Sequence, residues 1–193
     1  PLLAATPAVA DPRCARFGQP SVSALRTTTM PGAPPSIAQV TQSGPNLRIE
    51  TPAPGPGRLV TLLTPELQAV FATAAQPAVA IRMPRQPAAA PLPDSHRIRE
   101  ERQPAQIALI TEARGASGRW HEVERILCRP DGVLLEARHL QPREGGFVLV
   151  ETRQSEIRPA RPDPSLFRLP AGFRLIDPPP APAISQRTAR PPG

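Results

Sequence analysis

Between Ala105 and Arg158 the chain carries only two prolines, Pro130 and Pro142, although proline supplies 30 of its 193 residues. Proline fixes φ and has no N–H for a ladder, so it is kept out of helix interiors and central strands. The Pro-poor stretch is therefore where hydrogen-bonded structure can run without interruption. Many of the other prolines crowd the two ends and residues 84–94. This distribution predicts a folded body with Pro-rich ends and one inserted Pro-rich loop.

Inside the body the apolar period is close to two, which reads as strand. Segments 21–30, 37–41 and 46–51 read this way, with Leu47 and Ile49 on one face of the last and Arg48 and Glu50 on the other. "RLVTLL" (58–63), "QAVFAT" (68–73) and "AVAIRM" (78–83) follow at even spacing, the signature of an antiparallel meander. Residues 121–128, 133–140 and 146–157 form a second meander. Its first turn, Arg129-Pro130-Asp131-Gly132, has proline to set φ and glycine to accept a positive one. Pro104 suits a first helical turn, so 104–114 reads as a short helix closed by Gly115, with a strand over 106–112 as the competing assignment. The expected architecture is a mainly β domain over 21–177, with an inserted Pro-rich and charged loop at 84–103, an N-terminal arm at 11–20 and a Pro-rich tail at 178–193. That tail has no periodic apolar pattern to bury and is expected to be disordered.

The net charge of +7 comes entirely from arginine, since the sequence holds no lysine. The arginines are interspersed with glutamates, as in "HRIREERQ", and form no basic stripe, so no nucleic-acid partner is expected. Ala8-Val9-Ala10 followed by Asp11 has the form of a signal-peptide cleavage site, cut after Ala10, which makes residues 1–10 the remnant of a secretory signal. Asp11-Pro12-Arg13 before Cys14 does not match a lipoprotein box. The expected location is periplasmic. Two cysteines in an exported chain admit one bond, Cys14 to Cys128, tying the arm to the body; two separate thiols are the alternative.

Chemistry-bearing residues form no constellation. His96, His121 and His139 have no metal-ligand spacing. Cys128 and His139 lie on neighbouring expected strands, but nothing completes a nucleophilic pair. Ser95 beside His96 lacks an elbow motif, and Glu100 and Glu101 read as solvated charge. No catalytic residue, metal or cofactor is expected. Trp120 reads as a core anchor. Several strands are apolar on both faces, and in an open curved sheet one such face can line a cavity for a lipid-like ligand. Val60, Leu62, Phe71, Leu135 and Leu149 are the candidate lining.

Residues 162–177, "PDPSLFRLPAGFRLID", place two of the five phenylalanines around a Pro170-Ala171-Gly172 turn. The strand with Arg48 and Glu50, the hairpin after it and the strand ending in Met83-Pro84 resemble the first half of bacterial exported proteins with a LolA/LolB-like fold. Cys128-x-x-Asp131-Gly132-Val133 and the closing Asp163-Pro164-x-x-Phe167-x-x-Pro170-Ala171-Gly172-Phe173 are similar to the second half. The resemblance implies a half-barrel: a curved antiparallel sheet with a helical lid, of which this chain offers one short helix. It implies that Phe167 and Phe173 plug the end of the sheet, with Pro170 and Gly172 making the turn between them. Members of the group carry a second Cys three residues before a Trp. Here that position is Ser117, before Trp120, which leaves Cys14 as the only partner for Cys128. Named members of the family carry the acyl chains of lipoproteins. The resemblance therefore implies a non-enzymatic protein that binds a lipid or lipoprotein acyl ligand, or touches an envelope partner peripherally. A filled-core interaction protein and an Arg-mediated binder of anionic polymer or lipid headgroups are the other readings. Oligomeric state is not legible.

Overall fold

The computed structural model describes residues 12–84, 93–143 and 146–178. The expectations for Ala10 and Asp11, and for nearly all of the 178–193 tail, lie outside the described residues. A short helix α1 (Pro12–Ala15) leads into β1 (Ser21–Met30), β2 (Ala33–Ser43), β3 (Asn46–Pro52), β4 (Arg58–Leu63), β5 (Gln68–Ala72) and β6 (Val79–Arg82). After the Pro-rich connection come β7 (His96–Gln103), β8 (Gln106–Arg114), β9 (Trp120–Cys128), β10 (Leu134–Arg143) and β11 (Gly146–Pro159). A 3-10 turn (Pro164–Phe167) and β12 (Arg174–Ile176) close the described chain.

All twelve strands belong to one curved, open sheet in the order β12-β6-β5-β4-β3-β2-β1-β11-β10-β9-β8-β7. Two antiparallel meanders, β1 to β6 and β7 to β11, are joined by the β1–β11 pairing, from Val22 opposite Pro159 to Thr29 opposite Glu151. Only β12 runs parallel to its neighbour, β6. The long connection after β6 therefore links the two extremes of the sheet.

Two local expectations are corrected. Residues 106–114 are strand β8 and not a helix, and every residue from Ile107 to Thr111 is buried. An unbroken apolar run covered on both faces has no period to distinguish strand from helix, and Pro104 falls in the tight turn between β7 and β8. The one short helix is α1, in the arm. Residues 96–103, expected within the charged loop, form edge strand β7. Its Arg97, Arg99, Glu100, Glu101 and Arg102 place charge along an open edge, which discourages pairing with a foreign strand. The opposite edge, β12, is only three residues long.

Register separates two faces. The front carries Val22, Ala24 and Arg26 of β1, Ala38, Val40 and Gln42 of β2, and Leu47 and Ile49 of β3, and continues through Thr152, Ala137, Ile126 and Leu109. The back carries Arg48, Val60, Leu62, Ala69, Phe71 and Ala80 at one end, and Arg153, Glu136, Arg138, Arg125 and Arg99 at the other.

Candidate functional site

The chain's own ends cover the sheet at two places, on opposite faces. At the β7–β10 end the arm lies on the front. Cys14 is bonded to Cys128, with 5.5 Å between their Cα atoms. Both are buried in a cluster with Ile107, Leu109, Ile126, Leu134 and Ala137, against which Phe17 packs. Arg13 grips Glu124 through both guanidinium nitrogens, at 2.6 and 2.7 Å, and Thr111 donates to the same carboxylate at 2.9 Å. Burial pushes the Glu124 carboxyl up, but the Arg13 hydrogen bonds and charge, with Thr111, outweigh it and hold the group below the ordinary carboxylate range. Arg16 pairs with Glu100, and the guanidinium groups of Arg16 and Arg102 lie 4.7 and 5.5 Å from the Phe17 ring centroid. Behind Phe17 the backbone passes against the β9–β10 turn. A Cβ on Gly132, whose φ is +91°, would stand 2.1 Å from the Gly18 carbonyl oxygen, so only glycine fits there. A cleft of about 490 Å³ beside this crossing is lined by Phe17, Gln19, Ser21, Val22, Arg129 and Asp131.

At the β4–β6 end the closing segment lies on the back. Asp163 caps the 3-10 turn by accepting from the Ser165 N–H at 2.8 Å, and Arg48 donates to the Leu166 carbonyl at 3.1 Å. These bonds set Phe167 into a cluster of Val60, Leu62, Ala69, Phe71 and Ala80. After Pro170, Gly172 turns the chain at φ +86°, and the Phe173 ring comes to 5.0 Å from that of Phe71, centroid to centroid, inclined at 60°. Phe167 is buried; Phe173 is half-buried.

The five candidate lining residues do not share a surface. Val60, Leu62 and Phe71 lie beneath the closing segment, Leu135 is half-buried at an irregularity of β10, and Leu149 stands on the exposed β10–β11 hairpin. A second buried apolar cluster lies on the other face and was not singled out in the sequence. Ala38, Val40, Leu47, Ile49 and Leu63 pack together on the front of β2–β4, with Met83 against them. Leu59 and Ile81, each 39% exposed, continue the front across β4 and β6. Among the described residues no helix lies over this surface. Beside it, at the middle of the sheet, runs a polar seam. Arg26 is 3% exposed, and burial lowers its pKa to about 10, so it stays charged at neutral pH. With the Gln154 amide oriented to suit both neighbours, its oxygen accepts from Arg26 Nη2 at 3.0 Å and its nitrogen donates to the Leu134 carbonyl at 3.1 Å. Thr28 and Thr152 share a hydrogen bond of 3.2 Å on the same face.

The remaining chemical groups stay apart. Cys128 is committed to Cys14 and leaves no thiol for His139. The Ser95 hydroxyl and His96 Nδ1 lie 3.0 Å apart where the chain enters β7, and no carboxylate completes a catalytic set with them among the described residues. Among the described residues no three His, Cys, Asp or Glu side chains are placed to hold a metal ion, and no helix is long and apolar enough to cross a membrane. Trp120 is no core anchor: it is half-buried on the back, with the Arg97 guanidinium 4.4 Å from its ring centroid.

By sequence the chain matches no protein-family model and no curated protein. Among solved structures it is similar to a LolA superfamily protein from Nitrosomonas europaea, at 12% identity and a TM-score of 0.40, over 82% of this chain and 96% of that one. It is also similar to a DUF1329 family protein from Desulfovibrio piger, at 11% identity and a TM-score of 0.37, over 82% and 94% of the two chains. Nothing about a ligand follows from either likeness.

Proposed function

We propose that the protein is an exported, non-enzymatic binding protein that seats an amphiphile on the front of β2–β6: a fatty acyl chain on the apolar strands, with its anionic head toward Arg26. One observation carries the reading. The front of β2–β4 holds a buried apolar cluster over which no helix lies among the described residues, the exposed Leu59 and Ile81 continue it, and a buried guanidinium stands beside it. Apolar lining with a few fixed polar groups is the usual composition of a lipid site. Export is supported by the Ala8-Val9-Ala10 pattern and by a disulfide, a bond of oxidising compartments.

The filled-core reading has its own support, because Val60, Leu62, Ala69 and Ala80 are fully buried on the back. The anionic-polymer reading has less. On the back of β7–β11 the arginines are paired, as in Arg138–Glu151, Arg153–Glu136, Arg125–Glu122 and Arg97–Glu112. Native mass spectrometry of protein purified from its own cell envelope tests the proposal. A co-purifying lipid mass is expected, lost or reduced in Leu59→Asp and Ile81→Asp. A bare mass, together with no saturable binding of a fluorescent long-chain fatty acid, would leave the filled-core reading standing.

A further inference from the structure

Strand β7 is the outermost strand of its meander, and among the described residues no strand pairs with its outer side. Which of its backbone groups face outward follows from the ladder. The Arg114 N–H donates to the Ser95 carbonyl at 2.7 Å, and the β7–β8 register runs unbroken from His96 opposite Ala113 to Gln103 opposite Gln106. Hydrogen-bonded and non-hydrogen-bonded pairs alternate along an antiparallel ladder. Arg97, Arg99, Glu101 and Gln103 therefore bond to β8, while Ile98, Glu100 and Arg102 direct both N–H and C=O away from the sheet.

The side chains of this edge are self-complementary. On the back, Arg99 and Glu101 follow each other two residues apart and pair. On the front, Ile98 is 45% exposed, and Glu100 is paired with Arg16 and, at 2.6 Å, with Arg102. A second β7 can be set antiparallel to the first about a two-fold axis at Glu100. Ile98, Glu100 and Arg102 then exchange backbone bonds with Arg102, Glu100 and Ile98 of the second copy. On the back, Arg99 stands opposite Glu101 of the second copy, and symmetry repeats the pair. On the front, the two Glu100 carboxylates meet among the Arg16 and Arg102 guanidinium groups of both copies, and each Arg102 stem lies over an Ile98 side chain. Moving the axis by one residue either way sets Arg99 against Arg99, or Glu101 against Glu101, and like charges directly opposite each other destabilise.

The geometry points to β7 as the docking edge for a second copy of this chain, joined strand to strand with Arg99–Glu101 pairs on either side of the two-fold axis. The sheet then continues from one copy into the other. Strand addition draws affinity from main-chain hydrogen bonds and specificity from side chains. The charges that turn away a foreign strand admit this one, because a second copy carries the matching order by symmetry. The inference is independent of what the front face binds.

Sedimentation velocity of the full chain over a wide concentration range tests it. Wild type is expected to form a dimer as concentration rises, and less of it at high salt. Glu101→Arg and Arg99→Glu should each weaken dimerisation roughly tenfold, since both crossing pairs become like-charge pairs. The double exchange Arg99→Glu/Glu101→Arg restores opposite charges across the axis and should recover the dimer. Ile98→Pro removes an outward N–H and should abolish the dimer. Its circular dichroism should be unchanged, because that N–H faces away from β8 and an edge strand tolerates proline there. A wild type that stays monomeric at every concentration overturns the proposal. So does a dimer that Ile98→Pro leaves intact, which would place the contact elsewhere. A double exchange that dimerises no better than its single parents overturns it too, because Arg99 and Glu101 would then not face each other across the axis.

Discussion

The two ends of the sheet are fastened by opposite means. At the β7–β10 end the arm is held on the front by a covalent bond, a bidentate ion pair and a guanidinium-flanked ring. At the β4–β6 end no covalent bond is used: the closing segment is held by apolar contact, with Phe167 and Phe173 over Val60, Leu62 and Phe71, by the Arg48–Leu166 hydrogen bond, by the Arg82–Asp177 pair and by the β12–β6 ladder. The strands beneath account for the difference. Those under the closing segment offer small and branched apolar side chains that two rings can cover. Those under the arm have Glu124, Glu100 and Arg102 among their front-face residues, so the arm must answer charge as well as apolar surface. Each described end of the chain covers one apolar part of the sheet, the arm over Ile107, Leu109 and Ile126 and the closing segment over Val60, Leu62 and Phe71.

The first way to break the comparison is to remove the bond. Cys14 and Cys128 are 114 residues apart, and closing so long a loop is worth about 4–5 kcal/mol on the chain-entropy account. The double Cys→Ser variant, compared with wild type by denaturant unfolding, should lose an amount of that order. Next is Phe167→Ala, which removes a buried ring and should cost about 3–4 kcal/mol. Phe173→Ala, half-buried, should cost visibly less in the same melts. If Phe173 proves the more costly, the turn at Gly172 and not Phe167 anchors the closing segment. Gly132→Ala follows at about 2 kcal/mol, from a positive φ and the contact with Gly18; it should loosen the arm end alone.

The smallest effect is the pH dependence of the ionic grip. The Glu124 carboxyl titrates below its unfolded value. Its contribution is therefore fully present above about pH 4.3, the ordinary glutamate value, and is lost as the pH falls through the lower folded value. Melting temperature measured from pH 6 down to pH 2.5 should fall less steeply for Glu124→Gln than for wild type, with both curves flat above pH 5.5 in this respect. Equal acid slopes would mean that Arg13 adds nothing beyond what the disulfide already fixes.

How far this arrangement could be read from the sequence depended on what each strand buries. Strands β3, β4 and β5 declare themselves by alternation or by a short apolar run between turn residues, and the Pro-Asp-Gly turn places β9 and β10. Strand β8 hides because Ile107, Ala108, Leu109 and Ile110 are covered on both faces, so no period shows. Strand β7 hides for the opposite reason: as an edge with one apolar residue, Ile98, it alternates only in charge, which reads as loop. The closing segment stands out because its phenylalanines cluster in an aromatic-poor chain, while the expectation that it plugs the sheet comes from the family resemblance. The front-face surface was not legible, since Val40 and Leu47 reach it from strands whose individual patterns say nothing about which face will be covered.

Hydrogen exchange measured by mass spectrometry on wild type, the Cys14→Ser/Cys128→Ser variant and Phe167→Ala tests most directly whether the two ends are fastened separately. Loss of the disulfide should raise exchange in β7–β10 and leave β4–β6 near wild type. Phe167→Ala should do the reverse, raising exchange in β4–β6 and the closing segment while β7–β10 stays protected. A uniform rise across all twelve strands in both variants would contradict the account, showing a sheet that opens as one unit however its ends are held.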